Sequence, residues 1–163
     1  MEPRFGLDLA TLEQRHRDLS RALHPDRHAG AGAAGRRMAL GRAIEVNEAF
    51  RLLKDPVRRA EALLSRRGVA SGEGKEPPAS PALLMEVMER REALAEIRQS
   101  KDEAALSRLI AEVRAIEART QTTLATEFAS PAPNNAEILK RVGELRYYRR
   151  FLDEAASIAD DLL

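Results

Sequence analysis

Apolar residues along this chain recur at helical spacing, and nowhere do they alternate as a half-buried strand would require. Leu9, Leu12, His16, Leu19 and Leu23 follow 3-4-3-4 steps. That spacing predicts one apolar stripe on a helix running from Asp8 or Thr11 to Leu23. Pro25 ends the helix, because the residue before a proline is pushed out of helical geometry. Residues 27–35 read as a loop rich in Gly and Ala. A second helix is predicted over 36–54, with Ala39, Ala43, Val46, Phe50 and Leu53 inward and Leu40 and Ile44 beside them. Asp55-Pro56 breaks the chain and starts a third helix, Asp as cap and Pro at the first helical position. This short helix, 56–67, turns Val57, Ala60 and Leu64 inward and carries Arg58, Arg59, Arg66 and Arg67 outward. It stops at Gly68.

Residues 68–80, GVASGEGKEPPAS, hold three Gly and two adjacent Pro in a polar setting. This composition marks a linker and a domain boundary. Three longer helical patterns follow. The first spans 80–99, and Lys101-Asp102 sits at the turn after it. The second spans 102–128, with Leu106, Leu109, Val113, Ile116 and Leu124 inward. After a turn at 130–135, the last spans 136–162, with Ile138, Val142, Leu145, Leu152, Ala155, Ala159 and Leu162 inward. Three antiparallel helices with short connections make a bundle. The chain is therefore read as all-α, a small helical N-terminal domain followed by a three-helix bundle, with no internal repeat.

Composition narrows the chemistry. Aromatic residues are 4% of the chain and Trp is absent, so the core falls to Leu, Ala, Ile, Val and Met. The absence of Cys excludes disulfides, thiolate zinc sites and a cysteine-ligated iron–sulfur cluster of the chain's own. No apolar run approaches the ~20 residues of a membrane helix, and MEPRFGLDLA lacks the regions of a secretory signal. A soluble, cytoplasmic protein is expected. The net charge of +1 conceals an asymmetry: residues 1–70 hold 14 Lys/Arg against 9 Asp/Glu, and residues 71–163 hold 13 against 17. Two faces of opposite sign suggest two different partners, or simply two solvated surfaces.

Chemistry concentrates in RALHPDRHAG, residues 21–30. A metal site needs three or four converging ligands. The chain offers only His16, which belongs to an apolar stripe, and the trio His24, Asp26 and His28. His24 and Asp26 could act as an acid–base couple, but no nucleophile or phosphate loop lies near them in the sequence. A third reading is docking. Pro25 restricts the backbone, so His24 and Asp26 are presented at low entropy cost. Arg17 and Arg21 lie four residues apart on the preceding helix, and Arg27 follows, making a basic surround for an acidic partner.

The 80–99 helix raises a second candidate. Leu83, Val87, Leu94 and Ile97 form its core stripe. Met85, Glu89, Glu92 and Glu96 follow 4-3-4 steps on another face, with Leu84 and Met88 alongside. Apolar residues outside the core stripe and next to acids suggest a binding patch. The alternative is a helix buried on two sides with solvated acids.

A helix ending in HPD, a loop, and then EVNEAFRLLKDPVRRAEALLSRRG resembles the J domain of DnaJ-like co-chaperones. The version it is most similar to is that of the HscB-type co-chaperones of iron–sulfur cluster assembly, through Val46-Asn47-Glu48-Ala49-Phe50, Leu53, Asp55-Pro56 and Arg59-Ala60-Glu61. LLMEVMERREALAEI at 83–97 resembles the first helix of that family's C-terminal bundle. The resemblance implies a J domain over 1–67, a linker over 68–80 and a scaffold-binding three-helix bundle over 81–163. It implies a co-chaperone, not an enzyme, with no cofactor. His24, Pro25, Asp26, Arg17, Arg21 and Arg27 would dock on a DnaK-type (HscA-like) chaperone and stimulate its ATPase. Leu84, Met85, Met88, Glu89, Glu92, Glu96 and Tyr147 would hold an IscU-like cluster scaffold.

Several residues depart from the family pattern. Arg90 falls in the core stripe, where its stem is expected to pack while its head snorkels to water. Ala62 and His16 replace aromatics. The short apolar helix that opens the family's J domain is missing, so part of the stripes over 9–23 and 36–54 is expected to face water. Either the N-terminal half is loosely held or the true start lies upstream. A monomer without nucleic-acid or membrane partners is expected. The other classes weighed are a nucleic-acid-binding module using the basic half, for which stacking aromatics are lacking, and a metal-dependent hydrolase using His24, Asp26 and His28.

Overall fold

The computed structural model describes residues 4–28, 30 and 32–162, with no side-chain description for Leu162. The elements are α1 (Leu9–Ala22), a 3-10 turn at Pro25–His28, α2 (Gly32–Lys54), α3 (Pro56–Arg66), α4 (Pro81–Ser100), α5 (Glu103–Ala129) and α6 (Asn135–Leu162). No strand occurs among the described residues. Two compact units divide the chain, Met1–Leu63 and Leu64–Leu163. The division falls inside α3, not in the 68–80 stretch.

In the first unit α1 and α2 form an antiparallel hairpin. Asp8 caps α1, its carboxylate accepting from the Thr11 hydroxyl and from the Ala10 amide at 3.1 Å. His16 stacks on Phe50 with ring centroids 4.0 Å apart and hydrogen-bonds Asn47 at 2.9 Å. The histidine is a packing residue, as its place on the stripe predicts. The rest of the stripe is only partly covered. Leu12 and Leu23 are half-buried, Leu9 and Leu19 are 44% and 48% exposed, and α1 has no buried residue. On α2, Ala39 is buried while Leu40 and Ile44 are exposed. That helix starts four residues earlier than predicted, because Ala33 and Ala34 are helix formers within a tract that reads as loop. Of the predicted loop 27–35, residues 29 and 31 lie outside the described residues.

Asp55 and Pro56 act as the sequence predicts, Asp55 accepting from the amides of Val57 and Arg58 at 2.9 and 3.1 Å. Arg59 does not point outward. It is buried, its guanidinium 4.7 Å from the Phe5 ring centroid and donating to the Leu53 carbonyl at 2.7 Å. Burial holds its pKa below the ordinary value. An arginine can be buried here because one carbonyl and one aromatic face take its charge.

In the second unit α5 and α6 pack along their length, and α4 lies on them less extensively. Leu94, Leu106, Val113, Tyr148, Phe151, Ala155 and Ile158 form a continuous core. Leu124, Ile138, Val142 and Leu145 are fully buried. Each helix start carries an oxygen cap: Ser80 accepts from Leu83 N–H at 3.2 Å, Asp102 from Ala105 N–H at 2.8 Å and Asn134 from Ala136 N–H at 3.1 Å. Lys101 turns the chain between α4 and α5 in left-handed geometry, φ 55°.

Two features of this unit differ from the sequence reading. Within the stretch read as a linker, residues 72–76 fold onto the bundle. Gly72 and Gly74 take positive φ, Lys75 N–H donates to the Gly72 carbonyl at 3.0 Å, and Glu76 pairs with Arg146 of α6. The head of Arg90 does not snorkel. Its side chain is 10% exposed, 2.6 Å from Glu86 and 3.7 Å from Glu112, with the Tyr148 ring centroid 5.9 Å away.

Candidate functional site

The first candidate surface is built by the end of α1. The Leu23 amide closes the helix on the Leu19 carbonyl at 2.9 Å, and His24 continues non-helically before Pro25 opens the 3-10 turn. Arg27 N–H donates to the His24 carbonyl at 3.0 Å, and the His28 ring bonds the Ala22 carbonyl at 3.0 Å. These two bonds fold the turn back on the helix that precedes it. The tip they hold is open to solvent: the side chains of His24 and Asp26 are 59% and 90% exposed. His24 Nδ1 lies 3.3 Å from the Asp26 amide and 3.4 Å from its carboxylate. A neutral ring accepts from the amide, and a protonated one pairs with the carboxylate.

The structure brings His24 and Asp26 together and ties His28 to Ala22. Among the described residues no three His, Cys, Asp or Glu side chains converge as a metal site would require. Arg17 and Arg21 on α1 and Arg27 in the turn are exposed. Arg17 bonds Gln14 at 2.8 Å and Arg21 lies 3.9 Å from Asp18, an exposed pairing that a partner's carboxylates can displace at little cost.

The second surface lies on α4. Leu84, Met85 and Met88 are 51%, 64% and 62% exposed. Among the described residues they are the only large apolar side chains so exposed in the second unit. Glu89, Glu92 and Glu96 are exposed along the same helix. Tyr147 of α6 is half-buried, with its hydroxyl 3.4 Å from the Val87 carbonyl, so it borders the α4 backbone. Burial pushes its phenol pKa up. Two neighbours escaped the sequence reading. Arg91 lies close enough to Tyr147 to act on its charge, and Glu86 is held by Arg90 and so is removed from the row of free acids. The spacing of Glu86 and Arg90, four apart on one helix, is the sequence signal for that pair.

The structure thus presents a charged, exposed tripeptide at the end of α1 and an exposed apolar–acidic row on α4. Comparison with known proteins agrees in both sequence and fold. Residues 79–156 match the family described as HSCB C-terminal oligomerisation domain. The co-chaperone protein HscB homolog of Shewanella oneidensis is 36% identical over 163 residues, covering 99% of this chain and 94% of the relative. Its counterpart in Shewanella baltica strain OS155 is 36% identical over 165 residues, with the same coverage. Among solved structures, chaperone HscB from Vibrio cholerae superposes with a TM-score of 0.79 at 32% identity, covering all of this chain and 95% of that one. Human co-chaperone HscB shares the fold, with a TM-score of 0.80 at 24% identity over 95% of this chain and 76% of its own. The all-α architecture, the patch helix and the whole-length similarity lead to one assignment: this chain belongs to the HscB co-chaperone family.

Proposed function

We propose that the chain is a J-domain co-chaperone that delivers an iron–sulfur cluster scaffold protein to a DnaK-type chaperone and stimulates that chaperone's ATPase. The J domain spans 1–67, residues 68–80 connect, and 81–163 bind the scaffold. His24, Pro25 and Asp26 engage the chaperone, and Arg17, Arg21 and Arg27 steer its acidic surface into register. Leu84, Met85 and Met88 anchor the scaffold, with Glu89, Glu92, Glu96 and Tyr147 around them. The chain catalyses nothing itself: it acts on the partner's active site, in the cytoplasm. Without Cys it has no thiolate for the cluster, which stays with the scaffold.

One observation carries this reading. Among the described residues, the large apolar side chains left exposed in the second unit are Leu84, Met85 and Met88, flanked by carboxylates and outside the buried core. Replacing all three with Ala should weaken scaffold binding by thirtyfold or more, since losing a central anchor costs ~2 kcal/mol. Basal ATPase stimulation and thermal unfolding should be unchanged. Loss of both activities together with a lowered melting temperature would show the patch to be core.

A further inference from the structure

We infer that Glu76, Arg146 and Gly143 form a clasp that fixes where α4 begins and so sets the presentation of its docking patch. This rests on the reading that Leu84, Met85 and Met88 receive the scaffold. The pair is well shielded: the Glu76 side chain is 12% exposed and that of Arg146 is 19% exposed. Gly74 N–H donates to the same carboxylate at 3.1 Å. Gly143 is the notch that admits it, because a Cβ there would lie 3.3 Å from both Cβ and Cγ of Glu76. Glu73 and Arg150, 3.4 Å apart, are 81% and 66% exposed and add little.

Only Pro77, Pro78 and Ala79 separate Glu76 from Ser80, the cap of α4. Two prolines restrict that span, so a shift at Glu76 is transmitted to the helix start. Beyond the clasp, the opening turns of α4 are held lightly, by Leu83 packing on the core and by the Tyr147 hydroxyl 3.4 Å from the Val87 carbonyl. Leu83 and Val87 are half-buried, and the first buried residues of the helix are Arg90 and Leu94. Leu84, Met85 and Met88 therefore sit on the stretch that the clasp places. These three clasp residues are positioning residues and touch no partner themselves.

The test uses the full chain and two independent variants, Glu76→Gln and Gly143→Leu. Leu fills the notch while raising the helix propensity of α6. Hydrogen exchange of the 83–88 amides is followed alongside affinity for a purified, cysteine-bearing iron–sulfur scaffold protein. Both variants should speed exchange at 83–88 about tenfold while leaving 106–113 unchanged, the pattern of local opening. Scaffold affinity should fall by about three- to tenfold, and Glu76→Gln combined with Arg146→Gln should be no worse than either alone, the mark of a coupled pair. Unchanged exchange and affinity in both variants, with Leu84→Ala still weakening the scaffold, would overturn the clasp. So would faster exchange at 106–113 to the same extent, which would make the pair a general stabiliser. Faster exchange confined to 83–88 with no effect of Leu84→Ala on the scaffold would instead overturn the docking reading and leave the clasp standing.

Discussion

Arg90 stands where the core stripe of α4 calls for an apolar side chain, and its surroundings only half accommodate it. Glu86 and Glu112 take one terminal nitrogen, while Nε and Nη1 are buried without hydrogen-bond partners. A buried charge with unmet donors costs desolvation that its ion pairs do not fully offset. Arg90→Leu should therefore hold or raise stability, by about 1 kcal/mol or more, because both glutamates reach solvent once released. Arg90→Ala should lower it through the cavity left against Tyr148. Urea unfolding of the three proteins checks this, and a Leu variant less stable than the parent would mean the pair outweighs its burial cost. The sequence could not show this environment. An arginine in an apolar register reads as snorkelling, and only the tertiary neighbours Glu112 and Tyr148 decide otherwise. Arg59 teaches the same lesson, since its partner Phe5 lies 54 residues away in the chain.

Five of the six α-helix starts, all but that of α2, were legible because their signals are local. Asp8, Asp55, Ser80, Asp102 and Asn134 each supply the oxygen for an unpaired amide. The inward faces of α5 and α6 were partly legible. On α6 the predicted stripe passed from Leu145 to Leu152 and missed Tyr148 and Phe151, which are buried. The helix turns a broader face to its neighbours than a single stripe. Caps also confer a pH dependence. Hydrogen bonds from the Thr11 hydroxyl and the Ala10 amide hold the Asp8 carboxyl below its usual 3.8. Because the folded value lies below the unfolded one, the cap's contribution is complete above that usual value and is lost as pH falls through the folded one. Amide resonances of residues 9–12 should show α1 fraying from its start in that range. Asp8→Asn, a neutral cap, should fray no further on acidification, and equal fraying in the variant would place the effect elsewhere.

Across the whole molecule the charge divides between the halves, and each half carries one of the two surfaces. The basic N-terminal half carries the exposed His24-Pro25-Asp26 tip, and the acidic C-terminal half carries the apolar row of α4. The exposed tip and the α4 row each occupy one short stretch of sequence, which is why composition and spacing single them out, whereas Tyr147 joins the row from α6. The folded state of residues 72–76 was not legible, because Glu73 and Glu76 find their partners on α6, 77 and 70 residues away. A Gly- and Pro-rich composition says nothing about such distant pairing. The exposed Leu9, Leu19, Leu40 and Ile44 agree with the expectation that part of the α1 and α2 stripes faces water. The measurement that bears most directly on the two-surface account is single-turnover ATP hydrolysis by a DnaK-type chaperone with the parent chain or with His24→Gln. The variant, with unchanged melting and unchanged scaffold affinity, should give no stimulation above the chaperone alone. Stimulation equal to that of the parent would contradict the two-surface account.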